Sequence, residues 1–303
     1  MWAGPSKHFK TAFSLLMAKS YLDKYPDSAL LFYDSEFGTP QSYFDSFGID
    51  TNRVLHTPLT DIEQLKFDIM QQLTNLERTD KLIIIIDSIG NLASKKEVDD
   101  ALEGKSVADM SRAKQVKSLF RMVTPHLSLK DIPMVVVNHT IQTMEMFSKQ
   151  VMTGGTGIMY SANTVLFLGK SQEKEGTEII GYNFKITIEK SRFVKERSKF
   201  PFLVTWDGGI SKWSGLLDIG LELGWIRKPS NGWFEGINPE TGEVLCAKSL
   251  RKAETNSASF WLPILKAGFS DAIKQRYAIS EMQAIVEEVK DSDSEVIENE
   301  SES

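Results

Sequence analysis

The sequence predicts an α/β fold in which a mostly parallel sheet is covered by helices on both faces. Four runs are continuously apolar, as expected for strands that are buried on both sides: 29–33, 82–86, 134–137 and 164–168. Stretches with helical periodicity alternate with these runs, at about residues 10–24, 61–77 and 111–128. Strand–helix alternation of this kind builds right-handed βαβ units, and therefore a wound sheet.

The first helix follows a loop with the pattern of a phosphate-binding loop and one departure from it. The pattern requires Gly, four residues, and then Gly-Lys-Ser/Thr. Gly4, Lys10 and Thr11 fit, but Phe9 replaces the second glycine. In such loops, backbone N–H groups, the lysine and a Mg²⁺ ion on the threonine hold nucleotide phosphates. The alternative is a polar turn that caps the helix. The candidate nucleotide contacts are Gly4, Pro5, Ser6, Lys7, His8, Phe9, Lys10 and Thr11.

Only Met1, Trp2 and Ala3 precede this loop. A phosphate-binding loop normally joins a buried strand to a helix, and three residues are few for a central strand. The sequence therefore leads us to expect that the first strand is missing, as in a fragment or a mis-started reading of a longer protein.

Carboxylates follow the first two apolar runs. Glu36 lies just past the run 29–33, where it can orient the water that attacks ATP, and Asp34 can do the same on spacing alone. Tyr43 is available to stack on a base or simply to pack. Asp87 ends the run 82–86, at the sheet edge where wound α/β folds present ligand-contacting groups. It can complete a Mg²⁺ shell with Thr11, or cap the segment that follows.

The second predicted helix has apolar residues at three- and four-residue spacing, behind a cap at Thr60 or Asp61: Ile62, Leu65, Ile69, Leu73 and Leu76. After the third apolar run come Asn138 and His139. A polar side chain there can sense the terminal phosphate of a nucleotide, although a lone histidine is ordinarily a surface or capping residue. We expect the following polar, Met-rich stretch 140–153 to be a long functional loop.

Basic residues cluster in three places. They are Lys95, Lys96 and Lys105, running into Arg112, Lys114, Lys117 and Arg121; Lys149; and Lys190, Arg192, Lys195, Arg197 and Lys199. A solvated surface explains isolated charge runs. Two basic loops that follow successive strands of a nucleotide-binding sheet also suit a grip on a single-stranded phosphate backbone.

The remainder of the chain predicts a small second region and an acidic tail. Strand candidates 184–189 and 202–206 alternate more, which suits an antiparallel edge, and a helix is expected near 214–223. Residues 281–303 hold nine acids and one base, a charge of −8, so the other residues carry about +2 of the total of −6. Such a tail cannot form a core and is expected to be disordered.

The single Cys246 excludes an internal disulfide, and no run approaches the about 18 apolar residues of a membrane span.

The order of these motifs along the chain resembles that of the RecA family of strand-exchange ATPases, most closely the UvsX recombinases of T4-like phages. The similarity covers about nine tenths of the chain. In that family Phe9 is normal at its position. The motifs that carry the resemblance are Gly4-Pro5-Ser6-Lys7-His8-Phe9-Lys10, 32–38, Ile86-Asp87-Ser88, 91–97, Asn138-His139-Thr140, 145–149, 154–157, 189–192 and 221–224.

The resemblance implies a RecA-like P-loop ATPase core at 1–207, a C-terminal α+β appendage at 208–280 and an acidic tail at 281–303. It implies ATP and Mg²⁺ on Lys10, Thr11 and Asp87. Glu36 would be the catalytic carboxylate, Tyr43 the adenine contact and His139 the γ-phosphate sensor. Lys190 and Arg192 would reach the ATP of a neighbouring protomer. The DNA-binding loops would carry Lys95, Lys96, Lys105, Arg112, Lys149, Met152, Gly154 and Gly155.

The implied activity is a recombinase that forms a helical filament on single-stranded DNA and pairs it with homologous duplex DNA. Phage single-stranded-DNA-binding and mediator proteins would be partners, in the cytoplasm of the infected host. Two alternatives remain. A hexameric helicase would need an arginine finger and a primase-binding domain, and no segment suggests the latter. A non-catalytic DNA-binding module is favoured by the missing strand. The retention of five residues argues against it: Lys10, Glu36, Asp87, Lys190 and Arg192.

Overall fold

A computed structural model describes residues 1–104, 111–143, 150–153 and 157–279. The chain divides into two compact units, Met1–Gly169 and Lys170–Ser303. The division falls earlier than the boundary expected after residue 207, which stays a prediction, and the acidic tail lies outside the described residues. No helix in the described part of the chain is long and apolar enough to cross a bilayer.

The first unit confirms the wound α/β architecture. Its strands are β1 (Trp2–Gly4), β2 (Ala29–Asp34), β3 (Val54–Pro58), β4 (Leu82–Asp87), β5 (Met134–Gln142), β6 (Gln150–Met152) and β7 (Thr164–Glu175), which runs past the division. Its helices are α1 (Lys10–Lys24), α2 (Gln41–Ser46), α3 (Ile62–Asn75), α4 (Lys95–Leu102), α5 (Ser111–Lys130) and α6 (Gly157–Ser161). The sheet order is β7-β1-β5-β4-β2-β3 with parallel neighbours, and β6 pairs antiparallel with β5.

The core of this unit follows from the sequence patterns. The apolar runs of β2, β4 and β5 are buried because helices lie on both faces of the sheet. The predicted stripe of α3 packs with α5 on one face, and Leu76 packs against that cluster from just past the helix. Of the two proposed caps, Asp61 is the one that accepts a hydrogen bond, from the backbone N–H of Gln64 at 2.8 Å.

Three expectations about local structure are wrong. Trp2–Gly4 does form the first strand: it is buried and pairs with β5 on one side and β7 on the other, so two neighbours stabilise three residues. Lys95 and Lys96 lie in a helix rather than a loop, because Ser94 caps α4 by accepting a hydrogen bond from the N–H of Glu97. Part of 140–153 is a β5–β6 hairpin.

The second unit combines an antiparallel strand pair with a small aromatic core. Its further elements are β8 (Glu178–Ser191), β9 (Lys199–Thr205), β10 (Gly209–Ile210), α7 (Leu216–Glu222), β11 (Ile226–Arg227), β12 (Trp233–Gly236), β13 (Leu250–Arg251), α8 (Ala258–Ile264), a π-helical turn (Leu265–Phe269) and α9 (Ser270–Tyr277). The antiparallel pairing of β8 with β9 agrees with the sequence pattern. Trp225 and Trp261 are core residues beside Phe260 and Phe269.

Candidate nucleotide site and nucleic-acid loops

The loop between β1 and α1 has the backbone shape that its sequence pattern requires. Phe9 adopts the left-handed conformation, with φ 58° and ψ 23°, which explains why other phosphate-binding loops carry glycine there. A side chain at this φ costs about 1–3 kcal/mol. Gly4 is needed for a different reason: a Cβ at this position would lie 3.2 Å from the Cβ of Leu168 on β7. The loop is thus tightly held at its first residue.

Lys10 opens α1 and points back into the loop. Its side chain is buried, and Nζ donates a hydrogen bond to the carbonyl oxygen of Pro5 at 2.9 Å. Burial lowers the pKa of Lys10, while the nearby charges of Glu36 and Asp87 act in the opposite direction. A buried ammonium at the N-terminus of a helix is suited to a phosphate group.

Thr11 and Asp87 meet at the edge of this loop, since Thr11 lies in the first turn of α1 and Asp87 ends β4. The Thr11 hydroxyl donates to Oδ2 of Asp87, whereas Oδ1 is buried and has no hydrogen-bond partner among the described residues. Burial raises the pKa of Asp87 to about 6, and the Thr11 hydrogen bond opposes this shift. An unpartnered buried carboxylate oxygen beside a hydroxyl fits a hard cation such as Mg²⁺.

The described residues contain no group of three or more His, Cys, Asp or Glu side chains that is arranged to hold a metal. A Mg²⁺ site does not require such a group, because that ion is commonly held by one or two protein ligands together with substrate phosphates and water.

The structure gives Asp34 and Glu36 different environments, although their spacing left them equivalent. Asp34 is 1% exposed, and its Oδ1 accepts hydrogen bonds from the backbone N–H groups of Glu36 at 2.9 Å and Phe37 at 2.8 Å. Its Oδ2 lies 3.2 Å from Nε2 of His56. Asp34 therefore shapes the turn, and Glu36 extends from that turn into the cleft.

Glu36 is paired across the cleft with His139 on β5. Nε2 of His139 lies 2.6 Å from Oε1 of Glu36. This hydrogen bond is the main reason that the pKa of Glu36 is lowered, and burial acts against it. Glu36 is consequently a carboxylate at neutral pH, as a residue that orients a water molecule must be.

These side chains line one cleft of about 270 Å³. It contains the candidate nucleotide contacts except Gly4 and Pro5, which lie earlier in the loop. The lining residues are Ser6, Lys7, His8, Phe9, Lys10, Thr11, Glu36, Tyr43, Asp87 and His139. Tyr43 is half-buried with its ring edge-on to Phe47, at 5.3 Å between centroids.

Two residues that the sequence pattern did not single out connect this cleft to the β5–β6 hairpin. The backbone N–H of Thr153 donates to the carbonyl oxygen of His139 at 3.0 Å. The carbonyl oxygen of Thr153 in turn accepts a hydrogen bond from Nδ2 of Asn138 at 3.0 Å. Gly90 fits against the same group: a Cβ there would lie 2.8 Å from Oδ1 of Asn138 and 2.9 Å from Oγ1 of Thr153. The turn after β4 and the hairpin are therefore in direct contact. A glycine shortly after Asp87 was the available sequence signal.

The candidate DNA-binding residues differ in their exposure and in their hydrogen bonding. Lys95 and Lys96 are exposed on α4, and Met152 ends β6. Arg112 uses its guanidinium within the chain, donating to the carbonyls of Leu92 (2.7 Å), Gly90 (2.7 Å) and Ile89 (3.1 Å). It braces the turn after β4. Four candidates lie outside the described residues: Lys105, Lys149, Gly154 and Gly155.

Lys190 and Arg192 belong to the second unit. Lys190 is half-buried near the end of β8, and Arg192 is exposed in the turn that follows. The Ser191 hydroxyl organises this turn by accepting hydrogen bonds from the N–H groups of Phe193 and Val194, both at 3.1 Å.

Two family models together match most of the chain. The model described as RecA N-terminal domain matches residues 3–211, and the model described as Bacteriophage T4, Recombination and repair protein, C-terminal domain matches residues 213–273.

Individual relatives agree with these models. The "Recombination and repair protein" of Enterobacteria phage T4 is 54% identical over 281 residues, which cover 91% of this chain and 72% of that protein. "Protein RecA" of Pseudarthrobacter chlorophenolicus is 25% identical over 86% of this chain and 71% of its own length. "Protein RecA" of Chloroherpeton thalassium is 27% identical over 74% of this chain and 62% of its own length.

Proposed function

The chain belongs to the RecA family of recombination and repair proteins, and we propose that it is an ATP-dependent recombinase that forms a helical filament on single-stranded DNA. In the filament it pairs the bound strand with homologous duplex DNA and exchanges strands. The observation that carries the proposal is the cleft in which Lys10, Thr11, Glu36, Asp87 and His139 converge. That set supplies every protein group that hydrolysis of a nucleoside triphosphate needs within one subunit.

In this cleft, the N-terminus of α1 and Lys10 bind the ATP phosphates. The Lys10 ammonium exchanges the carbonyl of Pro5 for phosphate oxygens, which compensates its burial. Thr11 and Oδ1 of Asp87, which has no hydrogen-bond partner among the described residues, would hold Mg²⁺, and the ion would neutralise phosphate charge. Tyr43 contacts the adenine.

Glu36 orients the water molecule that attacks the γ-phosphate. His139 senses that phosphate, because one imidazole nitrogen cannot serve both Glu36 and a phosphate oxygen at once. The carbonyl of His139 is bonded to Thr153, so a shift of His139 reaches the hairpin and the basic loops that bind DNA.

Lys190 and Arg192 act on the ATP of a neighbouring protomer, where a cation supplied in trans stabilises transition-state charge. This links hydrolysis to assembly of the filament. Phage single-stranded-DNA-binding and mediator proteins assist the assembly, and the site of action is the cytoplasm of the infected host.

The test is ATP hydrolysis with and without single-stranded DNA. We expect Lys10→Ala to lose nucleotide binding. Glu36→Gln should bind ATP but hydrolyse it at least about 10²-fold more slowly, as for loss of a general base. Glu77→Gln, an exposed carboxylate change outside the cleft, is the control. Normal hydrolysis by Glu36→Gln would remove the catalytic assignment. DNA binding without any hydrolysis by the unaltered chain would instead support a non-catalytic module.

A further inference from the structure

We propose that His56, on the strand β3 at the edge of the first unit's sheet, is a positioning residue for ATP hydrolysis that acts on Glu36 through the buried carboxylate of Asp34. The proposal rests on the proposed function, because the placement of Glu36 is what His56 would control. His56 is not among the described residues that line the nucleotide cleft. Its imidazole instead contacts Asp34, whose other oxygen holds the turn that carries Glu36.

The pairing of β3 with β2 places His56 within reach of Asp34. The two strands run parallel, and His56 lies opposite Phe32, two residues before Asp34 on β2. Residues two apart on a strand point to the same face of the sheet, so Phe32 and Asp34 share the face to which His56 belongs. Nε2 of His56 lies 3.2 Å from Oδ2 of Asp34. The contact therefore depends on the strand register, and a slip of one residue would turn His56 to the other face.

Two aromatic rings fix the orientation of this imidazole. Phe32 and Phe44 are buried, and both lie edge-on to His56, at 5.6 Å and 5.7 Å between ring centroids. The two phenyl rings are also edge-on to each other, at 5.2 Å. Edge-to-face packing favours particular ring orientations, because the positive edge of one ring meets the negative face of the next. The packing thus holds the imidazole with Nε2 towards the carboxylate.

The carboxylate of Asp34 needs a donor for each of its oxygens. Its side chain is only 2% exposed, and a carboxylate away from water is costly unless it is hydrogen-bonded. Oδ1 accepts from the backbone N–H groups of Glu36 and Phe37. Among the described residues, His56 is the one hydrogen-bond partner of Oδ2. His56 therefore completes the hydrogen bonding of the group that holds the turn.

The chemistry of the pair assigns the proton between them. An ionised carboxylate only accepts hydrogen bonds, so the Nε2–H of His56 donates to Oδ2 of Asp34. Without this donor Oδ2 is unsatisfied, and rotation of the carboxylate towards water releases the N–H groups of Glu36 and Phe37. The Glu36 side chain moves with that turn, and a small displacement of a reacting group is enough to slow catalysis.

Two substitutions separate the donor of His56 from its packing. His56→Gln keeps a side-chain N–H but loses the ring, whereas His56→Phe keeps a ring and loses the donor. The first assay is steady-state ATP hydrolysis at saturating single-stranded DNA. His56→Phe should lower kcat about tenfold, as for loss of one hydrogen bond to a charged group, and leave the KM for ATP nearly unchanged. His56→Gln should retain kcat to within about twofold, since the hydrogen bond persists.

A second measurement follows the turn directly and needs no hydrolysis. NMR-detected hydrogen exchange of the backbone amides of Glu36 and Phe37 should be at least about fivefold faster in His56→Phe and unaltered in His56→Gln. His126→Phe is the matched control, because it makes the same change on α5, at a residue that is not among the described ones lining the cleft. Exchange of the two amides should not change in this control.

Several results would overturn the proposal. Unchanged amide exchange in His56→Phe shows that His56 does not hold the turn, and unchanged kcat shows that the contact does not matter for hydrolysis. Equal losses of kcat in His56→Phe and His56→Gln assign His56 to packing alone. In an Asp34→Asn background, a full tenfold loss on adding His56→Phe excludes a route through Asp34.

Failure of this proposal differs from failure of the proposed function. If His56 is not a positioning residue, the unaltered chain still hydrolyses ATP and Glu36→Gln still abolishes that activity. If the unaltered chain does not hydrolyse ATP, the proposed function fails and the role of His56 in hydrolysis fails with it.

Discussion

Asp34→Asn tests whether a buried carboxylate positions the proposed catalytic Glu36. The Asp34 side chain holds the turn by two backbone N–H groups, those of Glu36 and Phe37. Phe37 has φ 55°, a left-handed conformation that the turn imposes at a cost of about 1–3 kcal/mol. The two hydrogen bonds to the carboxylate offset that cost.

The magnitude follows from the change in acceptor. A hydrogen bond to a charged group contributes about 1.5–3 kcal/mol, against about 0.5–1.5 kcal/mol for a neutral pair. Asparagine retains one oxygen acceptor and loses the charge, so the turn loses about 1–3 kcal/mol across its two bonds. If this loss appears entirely as misplacement of Glu36, kcat falls about 5- to 160-fold, since each 1.36 kcal/mol is a factor of ten.

The assay is steady-state ATP hydrolysis at saturating single-stranded DNA, with kcat and KM measured separately. We expect Asp34→Asn to lower kcat and leave the KM for ATP nearly unchanged, because Lys10 and the phosphate loop are untouched. Asp45→Asn, an exposed carboxylate change on α2, is the control.

A double-mutant cycle tests whether Asp34 affects kcat through Glu36. In a Glu36→Gln background, Asp34→Asn should have little further effect on kcat, since the residue it positions no longer works. An equal loss of rate in both backgrounds would show that Asp34 acts by another route, such as general destabilisation of the sheet edge.

Three further outcomes follow from the cleft. His139→Ala removes the hydrogen bond that lowers the pKa of Glu36 in the nucleotide-free cleft, so the acid limb of the kcat/KM–pH profile should move to higher pH; coincident limbs would contradict this. Because the pKa of Asp87 is raised to about 6, protons compete with Mg²⁺ below that pH, and the Mg²⁺ requirement for hydrolysis should rise there but not in Asp87→Asn. Gly90→Ala places a methyl group against Asn138, so DNA stimulation should fall more than DNA-independent hydrolysis; equal losses would exclude coupling through this contact.

Much of the fold could be predicted because burial on both faces requires continuous apolar runs. The runs 29–33 and 82–86 became β2 and β4, each one residue longer, and the run 134–137 became the first part of β5, which continues to Gln142. The edge strand β3 was missed for the same reason, since its residues are exposed or half-buried and show no apolar run. The helix α4 was missed because its residues are charged and its stability depends on a serine cap.

The candidate site could be located from sequence because the carboxyl ends of parallel strands meet at one edge of a sheet. Glu36, Asp87 and His139 were all selected on that basis, and they line one cleft. Spacing could not separate Asp34 from Glu36, because both follow the same strand within two residues.

The sequence by itself determined the main buried strands and the long helices between them, the position of the phosphate-binding loop and the family, because these depend on local pattern and on motifs. Only the tertiary structure decided which polar side chains form hydrogen bonds with the protein's own backbone. It showed that Asp34 holds a turn, that Arg112 braces the segment after β4, and that Oδ1 of Asp87 stays unpartnered among the described residues. Hydrogen-bond partners between distant segments depend on how strands and helices pack in three dimensions, which local pattern does not encode.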